Sequence, residues 1–131
     1  MIALDTNLLV RLATADVAED AALVNELMAA QRCYVPVTVM LEAEWVLRSR
    51  YGYSAEDFAA FASFICQHAN VHMREASEVL QAVELHRKGL DFADALHASL
   101  AGRVPFVTLD RTLIKRGRKL GLELLALNEQ P

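Results

Sequence analysis

Cysteine is scarce. Cys33 and Cys66 are the only two among 131 residues, and neither belongs to a CxxC pair or a Cys/His ligand spacing. That excludes a disulfide framework and a structural zinc module, and the expectation is two reduced, partly buried thiols. The histidines form no metal set either: His68 and His72 are four apart, but Asn70 is expected to end a helix between them. No apolar run approaches the roughly 20 residues that span a bilayer, so no membrane role is expected. No cationic leader or signal-type apolar region stands ahead of "MIALD", which reads directly as a strand. A soluble, cytoplasmic protein is the expectation. Repeats, low-complexity tracts and linkers are also missing, so residues 1–131 are expected to form one domain. A basic coat is absent as well, since the formal net charge is −4.

What remains is globular in composition, 54% hydrophobic and 23% charged, with enough chain to bury one core. After the "MIALD" strand, "TNLLVRLA" reads as a helix. "AEDAALVNELMAAQ" reads as a second helix, with Leu23, Leu27 and Met28 on its inner face and Glu19, Asp20 and Glu26 around the other. "CYVP" is a strand, and Pro36 suits the first turn of a helix that runs to about Arg50 before "YGYS" breaks it. Ser54 caps the next helix, with Phe58, Phe61, Ala62 and Ile65 inward. "VHM" is a weak strand. Residues 75–88 follow as a helix with Ala76, Val79, Leu80 and Val83 inward, stopped by Gly89. "DFADALHASLAG" is a short helix, "PFVTLD" a strand, "RTLIKRGRKL" a basic helix and "LELLAL" the last strand. Strands alternating with helices predict an α/β domain with a mostly parallel central sheet of about five strands, sandwiched by helices.

Ligands of such sheets lie beyond the carboxyl ends of strands, where "IAL" leads into Asp5 and "FVTL" into Asp110. Both also precede helices, where aspartate is a favoured cap, so a purely structural role stays open for each. Asp91 and Asp94 have capping-box spacing, with Asp91 as the cap. No cap explanation reaches the middle of "TVMLEAEWVL". There Glu42 and Glu44 point about 200° apart on a helix. Glu44 has Arg48 one turn on, in the favourable acid-before-base order, whereas Glu42 has no intrahelical cation. His97, three residues beyond Asp94, either orients that carboxylate, meets a phosphate, or is satisfied within the fold. If the two strand-end carboxylates and two from helices converge on one pocket, they cannot all stay ionised without a cation, because two like charges 4 Å apart repel by about 4 kcal/mol at an effective dielectric of 20. Oxygen-only ligation selects a hard divalent ion, Mg²⁺ or Mn²⁺, over zinc.

In order along the chain, "LDTNLLVRL", "VTVMLEAEWVLRSRYG", "GLDFADALHASLAG" and "FVTLDRTLIK" resemble the four acidic motifs of PIN-domain ribonucleases, and among these the VapC-type toxins of bacterial type II toxin–antitoxin pairs. Position by position, the resemblance implies that Asp5, Glu42, Asp94 and Asp110 are the catalytic, metal-binding acids, with Mg²⁺ or Mn²⁺ as cofactor. Asn7 and Thr108 match flanking polar residues whose hydrogen bonds would fix the carboxylates. Asp91 matches a frequent acidic position before the third motif, as a helix cap or as a residue supporting the ligating acids from behind. The fourth motif continues as "RTLIK", which offers no further carboxylate.

The implied activity is endoribonuclease cleavage by a metal-activated water, leaving 5′-phosphate and 3′-hydroxyl ends, with transfer RNA a substrate of some relatives. The implied partners are RNA, a VapB-type antitoxin whose tail covers the acidic groove, and a second copy of the chain. Arg111, Lys115, Arg116, Arg118 and Lys119 then gain a task, since an acidic pocket repels RNA and needs cations beside it. Trp45, Tyr51 and Tyr53 either stack on bases or pack in a core or dimer contact. Two further classes stay open: a non-catalytic PIN-like module that binds RNA or protein, and an aspartyl-phosphate protein of the receiver or haloacid dehalogenase type. The dehalogenase type wants a second aspartate two residues after the first, where this chain has Asn7.

Overall fold

The computed structural model describes residues 1–130. They divide into two compact units, Met1–Ala76 and a second that begins at Ser77. In the first unit the order is β1 (Ile2–Ala3), α1 (Thr6–Thr14), α2 (Ala18–Ala30), β2 (Cys33–Tyr34), α3 (Val37–Tyr51), α4 (Ala55–Gln67) and β3 (Val71–His72). The strands form one parallel sheet in the order β1-β2-β3, with Ile2 opposite Cys33 and Cys33 opposite Val71. Parallel neighbours need a long crossover, and here each is made by two consecutive helices.

Local chemistry sets the ends of these helices. Asp5 accepts from the Thr6 N–H to open α1. Ser54 and Asp57 form a reciprocal capping box at α4, which buries Phe58, Phe61, Ala62 and Ile65 as the periodicity predicts. Gly52, at φ 69°, closes α3 in the left-handed conformation that a residue with a Cβ rarely adopts. Beside it the ends of α1 and α3 are tied together. Arg11 Nη1 donates to both Asp16 oxygens at 2.9 Å, and Tyr51 donates its hydroxyl to Asp16 at 2.7 Å. The Tyr51 hydrogen bond, then that of Arg11, lowers the Asp16 pKa to about 2. Tyr53 adds a hydroxyl bond to the Ala13 carbonyl. Cys33 is a buried free thiol and Cys66 a half-buried one, as their isolation predicts.

The inner face of α2 departs from expectation. Its buried residues are Ala21, Val24 and Met28, while Leu23 is 62% exposed. Apolar residues surround this helix, so its wheel does not single out one face, and small Ala21 allows the closer approach. Trp45 is exposed on α3 rather than part of the core.

The second unit holds nearly all of α5 (Ala76–Arg87), then α6 (Phe92–Ala101), β4 (Phe106–Thr108), α7 (Arg111–Lys119) and β5 (Leu124–Ala126). β4 and β5 pair in parallel, with Phe106 opposite Leu124 and Thr108 opposite Ala126. The five strands are thus present and every pairing is parallel, grouped as three and two. On α5, Val79, Ala82, Val83 and Leu85 are buried, whereas Leu80 is 41% exposed, contrary to the inward reading. Gly117 lets α7 lie against β5: a Cβ there would clash with Leu124 Cδ1. Among the described residues, no helix is long and apolar enough to cross a membrane.

Candidate functional site

In the first unit, the turn from β1 into α1 presents Asp5, Thr6 and Asn7 in succession, and α3 presents Glu42. Asp5, Thr6, Asn7, Glu42, Arg11, Arg50 and Tyr51 line one cavity of about 290 Å³, with Val10 and Val46. Two motifs 37 positions apart in sequence are therefore neighbours in space. Thr6 joins them. Its N–H donates to Asp5 Oδ1 at 2.7 Å, and its hydroxyl donates to Glu42 Oε1. Thr6 is 7% exposed and shares the buried face of α1 with Leu9 and Val10. The adjacent glutamate has another fate. Glu44 lies on the apolar face of α3 with Met40, Ala43 and Leu47, only 2% exposed, and takes a 2.8 Å bond from Arg48 Nε. Helix arithmetic separated the two glutamates correctly, and the structure adds that the paired one is the buried one.

In the second unit, Asp91, Asp94, Asp110 and Arg116 line a cavity of about 180 Å³, with Gly89, Leu90, Thr112 and Leu113. Asp91 caps α6 by accepting from the Asp94 N–H at 3.2 Å, and Asp110 caps α7 by accepting from Leu113 N–H at 3.0 Å. Burial, and then the negative charges of Asp91 and Asp110, push the Asp94 carboxyl above its ordinary pKa, and His97 opposes this. A carboxyl that resists ionising beside other acids is in an environment suited to a cation. Thr108 accepts from the Asp110 N–H at 3.1 Å, so it holds the backbone of this acid rather than its carboxylate. Asn7 lines the first cavity, but Thr6 makes the bonds to both acids there.

The basic run separates by role. All five residues are exposed on α7, yet only Arg116 among them lines the acidic cavity. Arg118 reaches the Leu124 carbonyl at 2.9 Å and Glu129 at 2.8 Å, tying α7 to the end of β5. Arg111, Lys115 and Lys119 remain an exposed cationic face. His97 is exposed, its ring 6.4 Å from that of Phe106.

Each cavity thus offers carboxylate oxygens and at least one guanidinium. Among the described residues, no group of three or more His, Cys, Asp or Glu side chains could hold a metal ion. A magnesium ion needs no such cage, because it keeps several waters and is commonly held by one or two carboxylates together with substrate phosphates. The oxygen-only donor set fits a hard divalent ion.

Thr6 is the residue that sequence reasoning passed over. Its signal was present: it stands three and four positions before Leu9 and Val10, which puts its side chain on the buried stripe of α1. The PIN-domain family model matches residues 2–120. No curated protein and no solved structure gives a match. PIN domains are typically nucleases, so the match supports nuclease-like activity for the chain. With the match covering all four acidic motifs, the chain belongs to the PIN-domain family.

Proposed function

We propose that the chain is a Mg²⁺- or Mn²⁺-dependent endoribonuclease whose activity requires Asp5, Glu42, Asp94 and Asp110. The observation that carries this reading is the distribution of the acids: motifs one and two meet in one cavity, motifs three and four in another, with oxygen donors in both. Asp5, Glu42, Asp94 and Asp110 would supply the oxygen ligands of the cation. When bound, such an ion supplies an acidified water and positive charge against the phosphoryl oxygens. The protein's own part is to aim the carboxylates and to attract the RNA backbone. Thr6 fixes one oxygen of each acid in the first cavity; in the second, the Leu113 N–H fixes one oxygen of Asp110, while Asp91 holds the backbone N–H of Asp94. Arg50 and Arg116 place a guanidinium in each cavity, where a phosphodiester would otherwise meet only negative charge.

The order and separation of the four motifs extend the proposal to a VapC-type toxin, held in check by a VapB-type antitoxin and self-associating as a dimer, with transfer RNA among the candidate substrates. The test is RNA cleavage by the purified chain with Mg²⁺, Mn²⁺ or EDTA, followed by end analysis. Metal-dependent cuts leaving 5′-phosphate and 3′-hydroxyl ends, absent in Asp5→Asn and Glu42→Gln, are expected. Cleavage unchanged in EDTA, or full activity of Asp5→Asn, would overturn the reading. RNA binding without metal and without cleavage would point instead to a non-catalytic PIN-like module. The toxin assignment is tested separately, by growth arrest on expression and its relief by a small antitoxin encoded beside the chain.

A further inference from the structure

We infer that Thr6 is a positioning residue for the acid pair of the first cavity, acting on both carboxylates at once. The inference rests on the metal-dependent reading above. Three observations support it. The backbone N–H of Thr6 donates to Asp5 Oδ1 at 2.7 Å, and its side-chain hydroxyl donates to Glu42 Oε1, so one residue holds an acid from each of two motifs. Thr6 is itself immobilised, 7% exposed in the first turn of α1, and its β-branched side chain has few rotamers to choose from. Asp5 and Glu42, by contrast, are exposed, so neither is fixed by burial.

Each acid thus spends one oxygen on a rigid donor and keeps its second, Asp5 Oδ2 and Glu42 Oε2, for a ligand. A donor that grips the outer oxygen of a ligating carboxylate sets the direction of the inner one, and losing such support commonly costs 10–100-fold in metal affinity. The backbone half of the grip survives any substitution that keeps α1 intact. The hydroxyl half depends on threonine or serine.

Thr6→Val and Thr6→Ser separate the two halves. Valine keeps the branched shape and the N–H but removes the hydroxyl donor, while serine keeps both donors and removes the methyl. Mn²⁺ binding to the full-length chain is read by electron paramagnetic resonance of the free ion, alongside thermal melting and RNA cleavage across a Mn²⁺ titration. Thr6→Val is expected to bind Mn²⁺ about 10–100-fold more weakly, and to need correspondingly more Mn²⁺ for half-maximal cleavage. Its melting should stay near wild type, because water replaces the lost donor at the exposed Glu42. Thr6→Ser should bind like wild type. Wild-type Mn²⁺ affinity in Thr6→Val overturns the inference, as does equal weakening in the serine variant, which would assign the effect to packing of the methyl. A wild-type chain that neither binds Mn²⁺ nor cuts RNA overturns the proposed function itself.

Discussion

Replacing Arg48 by methionine and, in a separate chain, Glu42 by glutamine should produce opposite failures from a single helix. Glu44 is the buried carboxylate of α3, its side chain 3% exposed, and Arg48 Nε meets it at 2.8 Å. Removing one partner of a fully buried ion pair costs about 3–5 kcal/mol, because the other charge stays behind out of water. One feature reduces that figure here: the Arg48 side chain is 44% exposed, so solvent reaches the pair from the cation's side. Methionine preserves the packing of the arginine stem, which confines the loss to the charge. The expected destabilisation is about 2 kcal/mol, or a fall in Tm of roughly 6–10 °C for a chain of this length.

Glu42 stands on a different footing. It is exposed, its partner is the Thr6 hydroxyl, and a glutamine carbonyl accepts that bond equally well. Glu42→Gln should therefore stay within about 0.5 kcal/mol of wild type while losing cleavage. Urea denaturation at 25 °C gives the stabilities, and RNA cleavage at the same temperature, with each variant still folded, gives the activities. Arg48→Met should cut RNA and melt early; Glu42→Gln should melt normally and not cut. A loss below about 0.5 kcal/mol in Arg48→Met would refute the cost assigned to the buried pair. Cleavage surviving in Glu42→Gln would refute the division of labour between the two glutamates.

The Asp16 carboxylate, held at about 2 by Tyr51 and Arg11, contributes stability that is present above the ordinary value of 3.8 and is lost as pH falls from there through about 2. Tyr51→Phe should move its midpoint upward in a carboxyl NMR titration, and an unmoved midpoint would show that the hydroxyl bond is not the cause. Gly117→Ala gains about 1 kcal/mol of helix propensity but forces the buried Leu124 to repack at about 1–3 kcal/mol, so a net loss near 1 kcal/mol in urea unfolding is expected. A stabilised variant would mean that Leu124 moves freely. In the basic helix, Arg116→Ala should weaken binding of cleavage-dead chain to RNA and lower the salt slope by about one. Arg118→Ala should instead lower the melting temperature, since its guanidinium ties α7 to Leu124 and Glu129. Equal effects of the two on RNA binding would erase that distinction.

Much of the fold was legible because the chain's local signals agree with one another. The capping box at Ser54, the glycine at position 52 and the apolar stripe from Phe58 to Ile65 all point to the same helix borders. The errors came where periodicity stood alone. Helical spacing places Leu23 and Leu80 on inner faces, yet α2 and α5 turn Ala21 and Ala82 to the interior. Close helix packing rewards the small side chain, and periodicity alone cannot rank a leucine against an alanine two positions away. The basic run was legible as a charged helix face but not as separate tasks. That Arg118 turns back to Leu124 depends on the hydrogen bond offered by a carbonyl six residues on, which no charge count contains.

The acids carry a more general lesson. Capping and ligand binding are rival explanations for Asp5 and Asp110 when only the sequence is considered. The geometry removes the rivalry. Asp5 gives Oδ1 to the Thr6 N–H, and Asp110 gives Oδ1 to the Leu113 N–H. An ionised carboxylate has two oxygens and about four lone-pair sites, so a cap occupies one oxygen and leaves the other directed away from the helix end. A capping bond also removes the freedom of the side chain to rotate, and that is what a ligand needs from an exposed aspartate. On the proposed metal-binding reading, the first turn of the helix that follows each strand supplies the donor that aims the acid. A substitution that preserves charge but moves the cap, such as Asp110→Glu, should then lower cleavage much as Asp110→Asn does, although the carboxylate is still present. Wild-type cleavage in Asp110→Glu would show that the charge alone suffices and that the cap does not aim it.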